Sequence, residues 1–283
     1  MKQIKLFFDK KGNSLINTDL LRVFEKLDVH DCELLYIHSS LSFGMPNPEL
    51  KRLDILEQLF NLFSELKVPT LCMPVFTFSF CNGKIFDPLN SKSKMGAFNE
   101  FFRIQNGAIR SLDPLMSVAL IGKDRKLITD IGNESVGRYS NFDLLRQRKK
   151  VKFLFLGTKI GDCFTYMHHL EWLYKVDYRY NKIFKGVVVE NGKEIPKEYI
   201  LFVRYNGVLP NDGSYIYEQK MYDTGIAKQE SFGDSTISIV EESVAADCYK
   251  SFLDINPYFF VDINSSFKNK DKTFILEKEM VAL

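Results

Sequence analysis

The chain has 283 residues, 45% hydrophobic and 26% charged, with a formal net charge of +2, a balance that excludes a disordered or low-complexity polymer and fits a globular protein with a full core. No apolar run approaches the roughly 20 residues a membrane span needs, and the apolar segment behind the basic start is too short for a secretory signal, so a cytoplasmic protein is expected. Five scattered cysteines, Cys32, Cys72, Cys81, Cys163 and Cys248, show no C-x-x-C spacing and read as reduced structural thiols, not as a zinc or disulfide framework.

In chain order, Thr18-Asp19-Leu20-Leu21 has the form of an N-cap and first helical turn, with Phe24 and Leu27 continuing the apolar stripe. Glu33 to His38 reads as a strand. It runs into Ser39-Ser40-Leu41-Ser42-Phe43-Gly44, a small polar turn whose hydroxyls and backbone N–H groups suit a phosphate or amide ligand. Between Leu50 and Leu66, apolar residues recur at Leu53, Leu56, Leu59, Phe60 and Phe63, the spacing of an amphipathic helix covering one face of a sheet. Pro69 to Phe78 is a second strand. A loop with Asp87-Pro88 follows, then a short helix over 96–105 with Phe98, Phe101 and Phe102 inward.

Arg110-Ser111 leads a polar turn into a strand ending at Gly122, with Ser117 six residues on. The arginine and serines are either a grip for phosphate or amide oxygens or simply a capped turn. Val151 to Leu156 is a short apolar run closed by Gly157, the form of a buried strand. From Asp162 to Tyr180 there is neither glycine nor proline, so a helix starting near Asp162 or Thr165 is expected. Beyond it, Asn191-Gly192 marks a hairpin, Tyr199 to Tyr205 a strand, Ser235 to Phe252 a helix, and Tyr258 to Val261 a late apolar segment. Strands alternate with helices early and pair by hairpins late. The expected fold is α/β, a mixed central sheet flanked by helices, in a single domain over 1–283 whose core is 1–185 and whose hairpin-rich C-terminal elaboration is 186–283.

The stretch richest in chemistry is Thr165-Tyr166-Met167-His168-His169-Leu170-Glu171. Residues three apart share a helix face, so His168 meets Glu171 while His169 points elsewhere. A histidine held by a carboxylate beyond a strand's carboxyl end is a general base with its orienting partner; the plain alternative is a helix-surface ion pair. Zinc is a weaker rival, because adjacent histidines diverge on a helix and no second ligand pair follows; no metal is expected. A Cys163–His168 nucleophile pair is a weaker rival still, because residues five apart on a helix diverge. No P-loop and no G-x-G-x-x-G occurs. Residues 146–185 carry ten basic and three acidic side chains, and residues 186–283 ten basic and sixteen acidic. The basic excess around the histidines favours an anionic small molecule.

An ordered series of short motifs runs through the chain: Ile37-His38-Ser39-Ser40-Leu41 with Gly44, Met73-Pro74-Val75-Phe76-Thr77, Phe86-Asp87-Pro88, Met95-Gly96-Ala97, Arg103, Gly107 to Pro114 with Ser117-Val118-Ala119, Phe155-Leu156-Gly157, and Thr165-x-x-His168-x-x-Glu171. Together they resemble the antibiotic N-acetyltransferase family, whose best-known members are aminoglycoside 3-N-acetyltransferases, from about Thr18 to the C-terminus. The resemblance implies transfer of an acetyl group from acetyl-CoA to a primary amine of an amino sugar, with His168 and Glu171 catalytic. It implies that Ser39, Ser40, Leu41, Thr77, Arg110, Ser111 and Ser117 bind acetyl-CoA, and that Asp87 and Tyr166 meet the substrate. Two positions depart from the pattern: Asp113 stands where many members have histidine, and His169-Leu170 replaces an apolar-small pair.

The local basic charge argues against a polycationic acceptor. A nucleotide-linked (dTDP-type) amino sugar for surface polysaccharide or lipopolysaccharide synthesis is therefore the first expectation, and an aminoglycoside, hence antibiotic resistance, the second. A non-catalytic protein that binds CoA or a sugar nucleotide is the rival from another class. Neither a nucleic acid nor a membrane is expected as partner, and a homodimer is compatible with the sequence.

Overall fold

The computed structural model describes residues 2–272, so the end of the expected 1–283 domain lies outside the described residues. Seven strands form the central sheet, in the order Ala227–Phe232, Ser235–Glu241, Val151–Leu156, Leu34–Ser39, Thr70–Pro74, Val118–Gly122, Ile109–Arg110. The three middle strands are parallel and the outer ones antiparallel, which makes the sheet mixed, as its alternating and hairpin-linked halves predict. Parallel strands need long crossovers. The helix Arg52–Glu65 supplies one between Leu34–Ser39 and Thr70–Pro74.

Strand side chains alternate between faces, and here the alternation divides two cores. Leu35, Ile37, Leu71, Met73, Leu154 and Leu156 pack against the helices Asn17–Lys26, Arg52–Glu65 and Ala97–Arg103. Tyr36, Cys72, Val118, Leu120, Phe153 and Phe155 face the opposite side. On the first side, Leu56, Leu59 and Phe63 of the amphipathic helix are buried as the period requires, while Leu53 in its first turn stays 54% exposed. Phe98, Phe101 and Phe102 all point inward. The first helix begins one residue earlier than its expected cap: Asn17 Oδ1 accepts from the N–H groups of Ile4 and Thr18, both at 2.9 Å.

One expected helix is corrected and a second is divided. Ser235 to Phe252 splits into the strand Ser235–Glu241 and the helix Glu242–Ile255. The run Ser-Thr-Ile-Ser-Ile-Val is β-branched with period two, so Ile237 and Ile239 enter one core and Val240 the other. The helix expected to start near Asp162 or Thr165 is Met167–Tyr174, preceded by a separate short piece, Ile160–Cys163. Phe164 and Tyr166 both pack on Phe153, with ring centroids 4.8 and 5.1 Å away. Residues two apart cannot share a helix face, so the chain leaves the helix between them. Lys175, at φ 56°, closes the second piece, its N–H bonded to Trp172 O.

The hairpin Arg179–Glu190 and Lys193–Arg204 is paired without interruption from Glu190↔Lys193 to Arg179↔Arg204, longer than the Tyr199–Tyr205 strand expected. Asn191 and Gly192 have φ of 52° and 75°, the two left-handed residues of a type I′ turn. The late apolar segment is mostly a turn that feeds Val261–Ile263, paired with Val208–Pro210. Among the described residues, no helix is long and apolar enough to cross a membrane.

Candidate active site

The strand Val151–Leu156 ends at Gly157, whose φ of +74° and close approach to Ser42 N, 3.0 Å from where a Cβ would sit, leave room only for glycine. This turn leads to the broken helix, and the break aims Met167–Tyr174 so that His168 borders a cavity of about 260 Å³. His168 Nδ1 lies 3.0 Å from Glu171 Oε2, the i,i+3 contact the spacing predicts. Glu171 is almost wholly buried, and Tyr178 donates to its other oxygen at 2.7 Å. Arg179, the first residue of the hairpin, closes the group. Its Nε is 2.9 Å from Glu171 Oε2, although without hydrogen-bond alignment, its Nη2 is 3.0 Å from His168 Nδ1, and its Nη1 donates to Phe202 O at 3.0 Å.

These neighbours set the charge states. Burial pushes the Glu171 carboxyl up, but the Arg179 guanidinium, His168 and the Tyr178 hydroxyl outweigh it and hold the group at about 2. His168 is lowered, first by burial and then by Arg179, with Glu171 pulling the other way. The ring keeps 32% of its side chain exposed, toward the cavity. Donation of Nδ1–H to Glu171 leaves a lone pair on Nε2, an arrangement that can accept a proton beside a fixed anion.

His169 points away from this group, as expected from its place on the helix. It is fully buried, its Nδ1–H donates to Val136 O at 2.9 Å, and burial lowers its pKa, so it is a neutral core residue. Burial pushes the Cys163 thiol up to about 12 and Sγ donates to Lys159 O, unsuited to a nucleophile. Among the described residues, no three His, Cys, Asp or Glu side chains converge as metal ligands.

The other expected site residues hold the frame of the cleft, and none of them lines the His168 cavity. Ser39 Oγ donates to Asn99 Oδ1 at 2.8 Å, Ser40 Oγ meets Ser42 Oγ at 2.7 Å, and Leu41 takes a positive φ of 54°. Thr77 donates to Ser79 at 3.3 Å. Arg110 donates to Ser117 Oγ and to the carbonyls of Val75 and Ser91, its guanidinium 4.8 Å over the Phe86 ring, and burial lowers it to about 9. Ser111 Oγ accepts from Val118 N. Through these bonds Arg110 ties strand ends together, and it also lines a second cavity, of about 630 Å³, with Arg125 and Tyr199. Residues beside these, Phe78 and Met116, are the ones that reach the cavity wall.

The two residues expected to meet the substrate stand apart from the His168 cavity. Tyr166 has no exposed surface and hydrogen-bonds Glu242, with Arg146 Nη1 at 3.3 Å, because its ring is needed in the aromatic core. Asp87 spends its carboxylate on the N–H of Leu89 and the side chain of Asn90, capping its own turn. Asp113, the departure before Pro114, is likewise internal: Oδ1 accepts from the N–H groups of Leu115 and Met116 and from Ser135 Oγ. Sequence reasoning passed over Tyr178 and Arg179. The available signal was a tyrosine and an arginine opening a strand directly after the histidine helix.

The family model for aminoglycoside 3-N-acetyltransferase matches residues 67–254, well over half of the chain. No curated protein matches. Among solved structures, AAC-IIIb in a binary complex with CoASH aligns with a TM-score of 0.70 at 18% identity, over 84% of this chain and 96% of its own. AAC-VIa bound to sisomicin gives 0.70 at 17%, over 84% and 97%. The apoenzyme of AAC(3)-IVa gives 0.68 at 16%, over 95% and 96%. These likenesses carry the fold, and the family match carries the class: the chain belongs to the aminoglycoside 3-N-acetyltransferase family and is an N-acetyltransferase.

Proposed function

We propose that the protein transfers the acetyl group of acetyl-CoA to an amine of an aminoglycoside-type amino sugar, with His168 as general base and Glu171 as its orienting anion. The observation that carries this is the His168–Glu171 pair at the wall of the cavity, in a chain of this family. An amino group with pKa of about 8 is largely protonated at pH 7 and is nucleophilic only when neutral. Nε2 takes the proton as nitrogen attacks the thioester carbonyl, a contribution of about 10²–10⁴ in rate. The C–S bond then breaks, CoA leaves as the thiol, and the proton held on the imidazole is available to the departing sulfur. Glu171 stabilises the imidazolium in between. Alignment of thioester and amine supplies further rate, and no covalent acetyl-enzyme is needed.

The order of acceptors drawn from charge alone is reversed here, since the family and a neighbour solved with sisomicin favour an aminoglycoside. A nucleotide-linked amino sugar is kept as a second reading on one observation: residues 146–185, which hold the histidine helix, carry ten basic side chains against three acidic, a field that opposes a polycation. Release of CoA thiol should be measured with sisomicin and with a dTDP-linked amino sugar. Faster turnover of the antibiotic supports the first reading, preference for the nucleotide the second. Release with neither, from folded protein that still binds CoA, would return the non-catalytic binder.

A further inference from the structure

We infer that Arg179 is a positioning residue that contests the Nδ1 atom of His168 with Glu171, and so decides how much of the ring is in the proton-accepting tautomer. The inference rests on His168 being the base. Nδ1 has two polar neighbours at the same distance, Glu171 Oε2 and Arg179 Nη2, each 3.0 Å away. A carboxylate only accepts and a guanidinium only donates, so Nδ1 satisfies one of them at a time. Donation to Glu171 leaves the Nε2 lone pair free toward the cavity. Acceptance from Arg179 places the proton on Nε2, where the ring can donate to a ligand but not deprotonate an amine.

Arg179 is fixed in this position. Its side chain is 8% exposed, it lies against Glu171, and Nη1 is anchored on Phe202 O across the hairpin. The charged and titratable groups around the ring are Glu171 on its own helix, Arg179 and Arg204 from the two hairpin strands, and Tyr178, with Tyr249 behind Glu171 from the helix Glu242–Ile255. Of these, only Glu171 and Arg179 reach Nδ1. The arginine therefore has two opposed effects. It keeps Glu171 ionised, which favours the base, and it competes for the atom through which Glu171 acts.

The test is the pH dependence of kcat/KM in Arg179→Gln and Arg179→Lys. Removing the positive charge beside the ring in Arg179→Gln makes protonation of His168 easier, so the acid limb moves to higher pH, while the plateau rises by about twofold as the competing donor is lost. Arg179→Lys retains the charge without the fork, so the acid limb stays near that of the parent while the plateau rises by about twofold, as the ring passes from two tautomers to the Nδ1–H form alone. A lowered plateau with an unmoved acid limb in Arg179→Gln overturns the inference.

If Arg179→Gln does not fold, the ¹⁵N shifts of the His168 ring decide, assigned by their loss in His168→Gln. The parent protein should show two neutral tautomers in exchange, and Arg179→Lys the Nδ1–H form. A parent ring wholly in the Nδ1–H form overturns the inference. The underlying reading fails separately, if His168→Gln retains turnover.

Discussion

The two faces of the central sheet are built from the same alternating strands but to different rules. The face under Asn17–Lys26, Arg52–Glu65 and Ala97–Arg103 is an apolar, helix-covered core. The face under the histidine helix and the hairpin holds buried polar atoms that lack aligned partners: Tyr36 Oη, His38 Nε2, Asn141 Oδ1, Thr165 Oγ1, His169 Nε2 and Arg179 Nε, against Thr18 Oγ1 alone on the other side among the described residues. Burial holds His38 at about 3, so its ring is neutral there. One face is a helix-covered platform, and the other combines an aromatic core with the His168–Glu171 pair.

The sharpest way to break this comparison is His168→Ala. Acetyl transfer should fall by about 10²–10⁴-fold, read as CoA thiol release, with the circular dichroism and melting point of the parent, since the ring is partly exposed. Near-normal turnover would remove the polar face's claim to the chemistry. The converse change is Phe63→Ala, where the ring packs on Phe24 and Phe98 at 5.2 and 5.7 Å. It should cost about 3–5 kcal/mol of stability, read by denaturant unfolding, and leave kcat/KM of the remaining folded enzyme unchanged.

Acid distinguishes the faces further. Glu171 lies at about 2 in the fold against an ordinary 4.5. A depressed carboxylate adds stability that is present above 4.5 and lost as pH falls from 4.5 toward 2, at most about 3 kcal/mol. Unfolding measured across that window should show a shallower acid loss in Glu171→Gln than in the parent; equal slopes would mean that Arg179 does not hold the anion. The smallest effect belongs to the helix face. Leu53→Ala should change stability by no more than about 0.5 kcal/mol, because that leucine is more than half exposed. A larger loss would place Leu53 in an unrecognised contact.

The platform face was the more legible. Helical period alone marked Leu56, Leu59 and Phe63, and a short apolar run marked Val151–Leu156, because each depends on local spacing. The site face was legible at His168–Glu171, a contact within one helical turn, and at Asn191-Gly192, whose turn chemistry is local too. At Tyr166 and Asp87 the motif pattern does not show which partners the side chains take. Both side chains are polar and sit in motif segments, yet one completes an aromatic core and the other caps its own loop. Arg110, which the sequence leaves between a ligand grip and a capped turn, donates to Ser117 and to backbone carbonyls.

The order of residues by itself determined the alternation that separates two cores, the hairpin turn, and the spacing that brings an imidazole to a carboxylate. Only the tertiary structure decided that the helix breaks at Phe164–Tyr166 and that Arg179 returns to touch both members of the pair. Those outcomes depend on how aromatic volume is shared among distant strands and on where the long hairpin begins, and neither is encoded in any local period.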